Sequence, residues 1–102
     1  MLDLWIICYY NKCMEIEYDP KKNDTNIAMR GIDFQLVRDF EFETSLRVID
    51  NRKDYGETRY FALGYIHDRL YALVYTNSNK GVRVISLRKA NEREVKRYEQ
   101  ET

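Results

Sequence analysis

Alternating apolar and polar positions predict most of the strands of this chain. Strand-like runs occupy residues 44–50, 58–66, 71–76 and 82–89, with aromatic and β-branched residues most frequent in 58–66 and 71–76, and polar turns or loops separate these runs. Such runs are typical of β-strands, whose side chains alternate between two faces. The short connections predict antiparallel pairing in a meander. A briefer alternating run at 15–18 predicts one further strand before it.

Three other segments carry the signals of helix boundaries. Asp19, followed by proline, suits the N-cap of a helix that Gly31 would end in a left-handed conformation. Apolar residues then recur at helical spacing over 33–40. Asn91 and Glu94 resemble a capping box, which predicts a final charged helix to about residue 100. The predicted class is α+β: a short first strand, two helices, a four-stranded antiparallel meander and a C-terminal helix.

The first 13 residues differ in composition and pattern from the rest of the chain. They hold both cysteines, Cys8 and Cys13, and the alternating pattern begins only at Met14. We interpret 1–13 as an N-terminal extension, with Met14 as an alternative start of a domain spanning 14–102; a first strand lengthened at its front is the alternative. Two cysteines with the only histidine, His67, far away are weak evidence for a metal site. We expect reduced thiols in a cytoplasmic protein.

Composition narrows the class of protein, and charge gives a first functional hint. A chain of 102 residues, 44% hydrophobic and 33% charged, is one globular domain rather than a disordered or membrane-spanning protein. The net charge is zero, yet 80–97 holds seven basic residues against two acidic ones. A basic end can contact polyanions. The alternative is a solvated helix face beside an ordinary strand.

Three arginines sit at the ends of apolar strand faces: Arg59, Arg83 and Arg88. Strict alternation puts Arg83 with Leu87 on one face of the last strand and Ser86 with Arg88 on the other. Burying an unpaired guanidinium is costly, so each should lie at a sheet margin or in a polar cleft. Together they would suit bidentate phosphate contacts. The alternative is that each pairs with a nearby carboxylate, the candidates being Glu43, Asp50 and Glu94.

A series of motifs, specific in order and spacing, runs through residues 14–98. These motifs are Tyr18-Asp19-Pro20, Lys22, Asn26, Gly31, Phe34, Arg59, Ala62-Leu63-Gly64, Leu73-Val74-Tyr75-Thr76, Arg83-Val84-Ile85-Ser86, Arg88-Lys89-Ala90, Glu94 and Tyr98. In them the chain resembles the BrnT toxins, a family of RelE-like ribonuclease toxins. It departs from the family at Met29-Arg30, where Lys-His is usual, and at Thr58, where Glu is usual. Its final helix is also less basic.

The resemblance implies a RelE-like fold and a metal-independent endoribonuclease that needs no cofactor. It also implies an antitoxin partner of the BrnA kind, which dimerises through a ribbon-helix-helix DNA-binding domain. The expected assembly is a toxin–antitoxin heterotetramer that contacts its promoter DNA only through the antitoxin. The departures favour an alternative, a binding module that keeps the antitoxin contact without cleavage. A DNA-binding regulator ranks last, since no helix-turn-helix pattern is present.

Cleavage of RNA without a metal uses the substrate's 2′-hydroxyl, and it needs proton transfer and positive charge at the scissile phosphate. We hypothesise that the three arginines bind this phosphate, and that Glu94 or Tyr98 helps with proton transfer or orientation. The residues assigned to flanking RNA contacts are Lys89, Arg93, Lys22 and Arg30. His67, in a predicted turn, is a weaker candidate for acid–base catalysis.

Overall fold

A sheet with helices on both faces makes up the described part of the chain. The structure is a computed structural model, and it describes residues 3–9, 12–79 and 81–102, with side chains from residue 15 onward. In chain order the elements are β1 (Asp3–Tyr9), β2 (Lys12–Tyr18), α1 (Pro20–Arg30), a 3-10 helix (Phe34–Asp39), β3 (Leu46–Asp50), β4 (Arg59–Ile66), β5 (Arg69–Asn77), β6 (Gly81–Lys89) and α2 (Glu92–Glu101).

The described strands follow the order β1-β2-β6-β5-β4-β3 across the sheet. β2 pairs with β6 in parallel, from Glu15 opposite Gly81 to Glu17 opposite Arg83. The other neighbouring pairs are antiparallel. The predicted meander and the α+β class are therefore confirmed. The predicted first strand, β2, pairs with β6, the last strand of the meander. The chain therefore crosses from β2 to the opposite edge of the sheet before it forms β3.

The N-terminal strands extend further than the sequence pattern predicts. β2 begins at Lys12, so the predicted boundary after Cys13 falls inside this strand. β1 pairs with it as an additional strand at the sheet edge, with Cys8 and Cys13 as register partners. The expectation of reduced thiols concerns side chains that lie outside the described residues.

The second predicted helix is a short 3-10 helix. Its backbone bonds join residues three apart: Leu36 donates to the Asp33 carbonyl and Phe40 to the Val37 carbonyl, each at 3.0 Å. Phe34 and Val37 are fully buried at the same spacing. A 3-10 helix has three residues per turn, so this segment buries its apolar residues without needing a longer α-helix.

Each face of the sheet carries its own hydrophobic core. The first core lies under α1 and the 3-10 helix and includes Phe34, Ala62 and Leu73. The second core includes Leu63 and Ala72, and α2 contributes to it with Tyr98. Because successive strand residues point to opposite faces, neighbouring residues of β4 and β5 supply both cores. Both faces of the sheet therefore carry a hydrophobic core.

A β-bulge interrupts the alternation of β6. Tyr75 of β5 pairs with Val84, but Val74 pairs with Ser86, which leaves Ile85 as the extra residue. A bulge adds one residue to one strand and so shifts the following side chains to the other face. Leu87 accordingly joins Val84 in the first core.

The predicted division of β6 into two faces is wrong beyond this bulge. Strict alternation placed Leu87 with Arg83, and Ser86 with Arg88. Leu87 instead lies in the first core, so Arg83, Ser86 and Arg88 share the face that carries the second core. The bulge therefore brings two arginines of one strand to the same side of the sheet.

Buried amide side chains attach α1 to the rest of the fold. The side-chain nitrogen of Asn26 donates to the backbone carbonyls of Ile32 and Leu87, both at 3.0 Å. The oxygen of Asn23 accepts from the backbone nitrogen of Phe34 at 2.8 Å. These bonds satisfy groups that would be costly to bury unpaired. They fix α1 beside the part of β6 that follows the bulge.

Substituting Gly64 by alanine should destabilise the fold. An added Cβ would lie 2.5 Å from the Cζ atom of Phe40, whose ring is fully buried. Overpacking of this kind typically costs about 1–3 kcal/mol. Urea unfolding followed by circular dichroism should show a lower midpoint. The double variant Gly64→Ala/Phe40→Leu should recover part of the loss, because leucine lacks the clashing ring atoms; no recovery would contradict the steric explanation.

Candidate functional site

A pocket of about 190 Å³ opens on the sheet face that carries the second core. Three arginines from different segments line it: Arg52 after β3, Arg59 of β4 and Arg88 of β6. Its apolar part includes Phe61 of β4 and Val74 of β5, which are register partners in the sheet. We call it the arginine pocket. Three cationic side chains around an apolar floor form a site suited to an anionic group with an attached apolar part.

Arg59 is fixed by two contacts from the loop before it. Its guanidinium lies over the ring of Tyr55, with 4.1 Å from Cζ to the ring centroid. Its Nε donates to Glu57 at 3.1 Å. A cation–π contact and an ion pair together restrict the rotamers of a long side chain. The guanidinium is therefore held at the pocket wall before any ligand arrives.

Glu57 connects Arg59 to Arg83. The Nη2 of Arg83 donates to both carboxylate oxygens of Glu57, at 2.6 and 2.7 Å. Partial burial raises the pKa of Glu57, but the hydrogen bonds from the two arginines outweigh it and leave this pKa below its ordinary value. Arg83 itself lines an adjacent cleft with Glu17, not the arginine pocket. One ionised carboxylate thus bridges two of the three predicted arginines.

Arg88 forms a two-pronged ion pair with Glu94 of α2. Its two terminal nitrogens donate to the two carboxylate oxygens at 2.8 and 2.9 Å. Glu94 also completes the predicted capping box, accepting from the backbone of Asn91 at 3.0 Å. The Arg88 bond lowers the pKa of Glu94, and Glu94 in turn raises the pKa of Arg88. Glu94 is therefore ionised at neutral pH, and it orients Arg88.

Both alternatives left open for the arginines describe part of the geometry. Arg59, Arg83 and Arg88 lie on one face of the sheet, and each is also paired with a carboxylate. The partner of Arg88 is Glu94, one of the three candidate carboxylates. The partner of the other two arginines is Glu57, and not Glu43 or Asp50.

Asp50 and Arg52 form a further pair at the pocket that the sequence reasoning missed. Asp50 is buried, and both of its oxygens accept from Arg52 at 2.8 Å. These bonds hold the pKa of Asp50 below its usual range. Arg52 and Glu57 both belong to the polar loop before β4, which carries no periodic pattern. Their spacing in the sequence could have indicated both pairs, since Arg52 follows Asp50 by two residues and Arg59 follows Glu57 by two residues.

Tyr98 packs in the second core and does not line the arginine pocket. Its hydroxyl donates to the backbone carbonyl of Thr44 at 3.0 Å, and its ring meets the edge of Tyr65 at 5.5 Å between centroids. It is only 9% exposed and belongs to the second core. The hydroxyl thus ties α2 to the segment that precedes β3.

His67 lies in the turn between β4 and β5, outside the lining of the arginine pocket. Its φ is +57°, and its Nε2 lies 3.2 Å from the carboxylate of Asp39. The turn position agrees with the sequence prediction. This contact joins the exposed ring to the last residue of the 3-10 helix, and it holds the turn against that helix.

A second groove, of about 350 Å³, runs between α1 and β6. The basic residues along it are Lys21, Lys22 and Arg30. Ile85 and Ser86, at the β6 bulge, line both this groove and the arginine pocket. We call it the α1 groove. The two concave sites therefore meet across one bulged strand.

The sequence profile of one protein family matches residues 18–94, and this family is described as the ribonuclease toxin, BrnT, of type II toxin–antitoxin systems. The chain belongs to the BrnT family. The match contains the three predicted arginines and Glu94, and it ends before Tyr98. No curated protein and no solved structure matches the chain significantly. Membership of the BrnT family implies a ribonuclease toxin with an antitoxin partner.

The remaining residues predicted for RNA contacts lie at two separate places in this BrnT-family fold. Lys22 and Arg30 line the α1 groove. Lys89 is exposed at the end of β6, and Arg93 lies in the first turn of α2, where it lines a shallow surface with Lys96. The structure thus does not gather these four cations at one point, and none of them lines the arginine pocket.

Among residues 15–79 and 81–102, no group of three or more His, Cys, Asp or Glu side chains is placed so that it could hold a metal ion. In the same part of this BrnT-family chain, no helix has the length and apolar character needed to cross a membrane.

The Arg88–Glu94 pair should make stability depend on pH. Because the folded pKa of Glu94 is lowered, the pair stabilises the fold above the ordinary glutamate pKa of about 4.5. This stabilisation is lost as the pH falls through the lower folded value. Thermal unfolding of the wild type and of Glu94→Gln should differ most near neutral pH and converge at more acidic pH. A difference that stays constant down to acidic pH would contradict the pair's role.

Proposed function

We propose that this BrnT-family protein is a metal-independent endoribonuclease toxin that binds the scissile phosphate of RNA in the arginine pocket. The observation that carries the proposal is the convergence of Arg59 and Arg88, from two different strands, on one pocket. Arg52 adds a third guanidinium. Guanidinium groups match phosphate oxygens in both charge and geometry. The family's description as a ribonuclease toxin supports RNA as the polyanion.

The chemistry requires no cofactor. The 2′-hydroxyl of the nucleotide before the cut loses its proton and attacks the adjacent phosphorus. The bond to the 5′-oxygen breaks, and that oxygen takes up a proton, so the products are a 2′,3′-cyclic phosphate and a 5′-hydroxyl. Negative charge accumulates on the phosphoryl oxygens between these two events. Positively charged groups fixed at that position stabilise it without reorganisation.

The acidic and aromatic residues serve this arrangement mainly by positioning. Glu94 holds Arg88 by two hydrogen bonds, and its lowered pKa makes it a weak base. Tyr98 donates its hydroxyl proton to a backbone carbonyl, so we assign it an orienting role for α2. Lys89 and Arg93 would contact flanking phosphates, and Lys22 and Arg30 would bind RNA in the α1 groove.

The family also implies the biological setting. Type II toxins are neutralised by a protein antitoxin, and we propose a partner of the BrnA kind with a ribbon-helix-helix DNA-binding domain. The complex would be a heterotetramer in the cytoplasm, and promoter DNA would be bound through the antitoxin.

A second candidate function is a binding module that pairs with the antitoxin but cleaves poorly. The observation that favours it is the occupation of all three predicted arginines by Glu57 or Glu94. Expression of the chain without antitoxin distinguishes the two functions. Growth arrest with fragmented RNA supports the nuclease, whereas normal growth with intact RNA supports the module.

Removing a guanidinium from the arginine pocket should abolish most cleavage. We expect Arg59→Ala and Arg88→Ala to lower the cleavage rate about 10²–10³-fold, the usual effect of losing one group that stabilises transition-state charge. Arg88→Lys should recover little, because an ammonium lacks the planar fork. The measurement is single-turnover cleavage of a labelled RNA, with and without a chelator.

The matched control is Arg97→Ala, since Arg97 pairs with Glu101 on the exposed face of α2. It should cleave at the wild-type rate. A substrate with a 2′-deoxy residue before the cut should resist the wild type. Unchanged cleavage by Arg59→Ala and Arg88→Ala, or cutting of the deoxy substrate, would refute the proposal.

Neutralising Glu57 should strengthen binding of RNA. Its carboxylate occupies Arg59 and Arg83 in the unliganded protein, so a phosphate must compete with it. Glu57→Gln should therefore bind a non-cleavable single-stranded oligonucleotide more tightly, as measured by fluorescence anisotropy. The control is Glu101→Gln, which changes the net charge equally at an exposed site. Weaker binding by Glu57→Gln alone would instead show that Glu57 is needed to hold the arginines.

A further inference from the structure

The α1 groove combines an apolar wall with a rim of cations. Its apolar residues include Phe34, Ile85 and Met29, and the Met29 side chain is 80% exposed. No acidic residue lines it. Within the described residues, Lys21 and Lys22 have no ion-pair partner. An exposed apolar side chain between unpaired cations is suited to a ligand that carries an anionic group and a flat, apolar group.

Arg30 is held in place at this groove by buried amide chemistry. Its Nη1 donates to the side-chain oxygen of Asn26 at 2.7 Å. The nitrogen of Asn26 is in turn fixed by the carbonyls of Ile32 and Leu87. One nitrogen of the guanidinium is thus anchored by a chain of hydrogen bonds that reaches the sheet. A fixed guanidinium plane offers a surface on which an unstacked base can lie.

The position and size of the groove limit what it can accept. It shares Ile85 and Ser86 with the arginine pocket. The groups bound in the two sites could therefore be neighbouring parts of one nucleic acid strand. Its volume of about 350 Å³ lies at the small end of the roughly 300–1,000 Å³ typical of ligand pockets. One nucleotide of a single strand fits these dimensions and this mixture of charge and apolar surface.

We propose that the α1 groove binds the unpaired nucleotide next to the scissile phosphate, and so determines the base preference of cleavage. The base lies against Met29, Ile85 and the Arg30 guanidinium, while Lys21 and Lys22 contact its phosphate. This inference rests on the proposed nuclease function, because it names the substrate part that the neighbouring site takes. A protein segment with acidic and apolar residues is the competing occupant, and the base dependence of binding distinguishes it from a nucleotide.

The first experiment compares cleavage profiles on an RNA pool that is randomised around the cut. The wild type should show a preference at one position beside the scissile bond, and Met29→Ala and Arg30→Ala should weaken it there alone. Arg97→Ala, which is remote from the groove, should keep the wild-type profile. A structural role of Met29 or Arg30 would lower all cleavage without changing the profile. An unchanged profile in both variants, with an active wild type, overturns the proposal.

The second experiment measures binding without cleavage. A 2′-deoxy oligonucleotide carries one abasic residue at each position in turn. Loss of the base in the α1 groove should weaken binding to the wild type about tenfold, within the range for one stacked base, and should matter little for Met29→Ala. If no RNA is cut but this base dependence persists, the nuclease function fails and the subsite stands. If the variants lose antitoxin binding and keep the wild-type base dependence, the groove is a protein-binding site and the proposal is overturned.

Discussion

The extra residue of β6, Ile85, is the constraint on which the two concave sites depend. A strand without a bulge would place Arg83 and Arg88 on opposite faces, because alternation has a period of two and these residues are five apart. The bulge restores them to one face and keeps Leu87 in the first core. It also places Ile85 where the arginine pocket and the α1 groove meet. A local irregularity of one residue thus organises the functional surface.

The arginines in and beside the arginine pocket are each paired with a carboxylate of the fold. Glu57 joins Arg59 to Arg83, Glu94 holds Arg88, and Asp50 holds Arg52. Partly exposed ion pairs contribute little to stability, so their main effect is to restrict long side chains to one geometry. An anion bound at the proposed site would have to compete with the same carboxylates. The guanidinium groups are therefore held in place at the expense of affinity for such an anion.

The two concave sites differ in their electrostatics, and this difference fits a division of labour along a nucleic acid strand. In the arginine pocket the cations are paired and fixed, as stabilisation of developing charge requires. In the α1 groove Lys21 and Lys22 are unpaired among the described residues, and Met29 exposes apolar surface. The departure from the family pattern at Met29-Arg30 falls within this groove. Under the proposed function, a change of residues there would alter the contact with a neighbouring nucleotide and leave the guanidinium groups at the reacting phosphate unchanged.

Much of the architecture follows from the sequence alone. Alternation determined the meander, Asp19 and Gly31 bounded α1, and the Asn91–Glu94 spacing identified the capping box, because these signals are local in the chain. The three arginines were also recognisable, since a cation at the end of an apolar strand face needs a special position. Which face each occupies, and that Glu57 rather than Asp50 joins two of them, was decided only by tertiary structure. The register of β5 against β6 sets the bulge, and a loop without periodicity carries Glu57; both depend on contacts between residues distant in sequence, which no local pattern records.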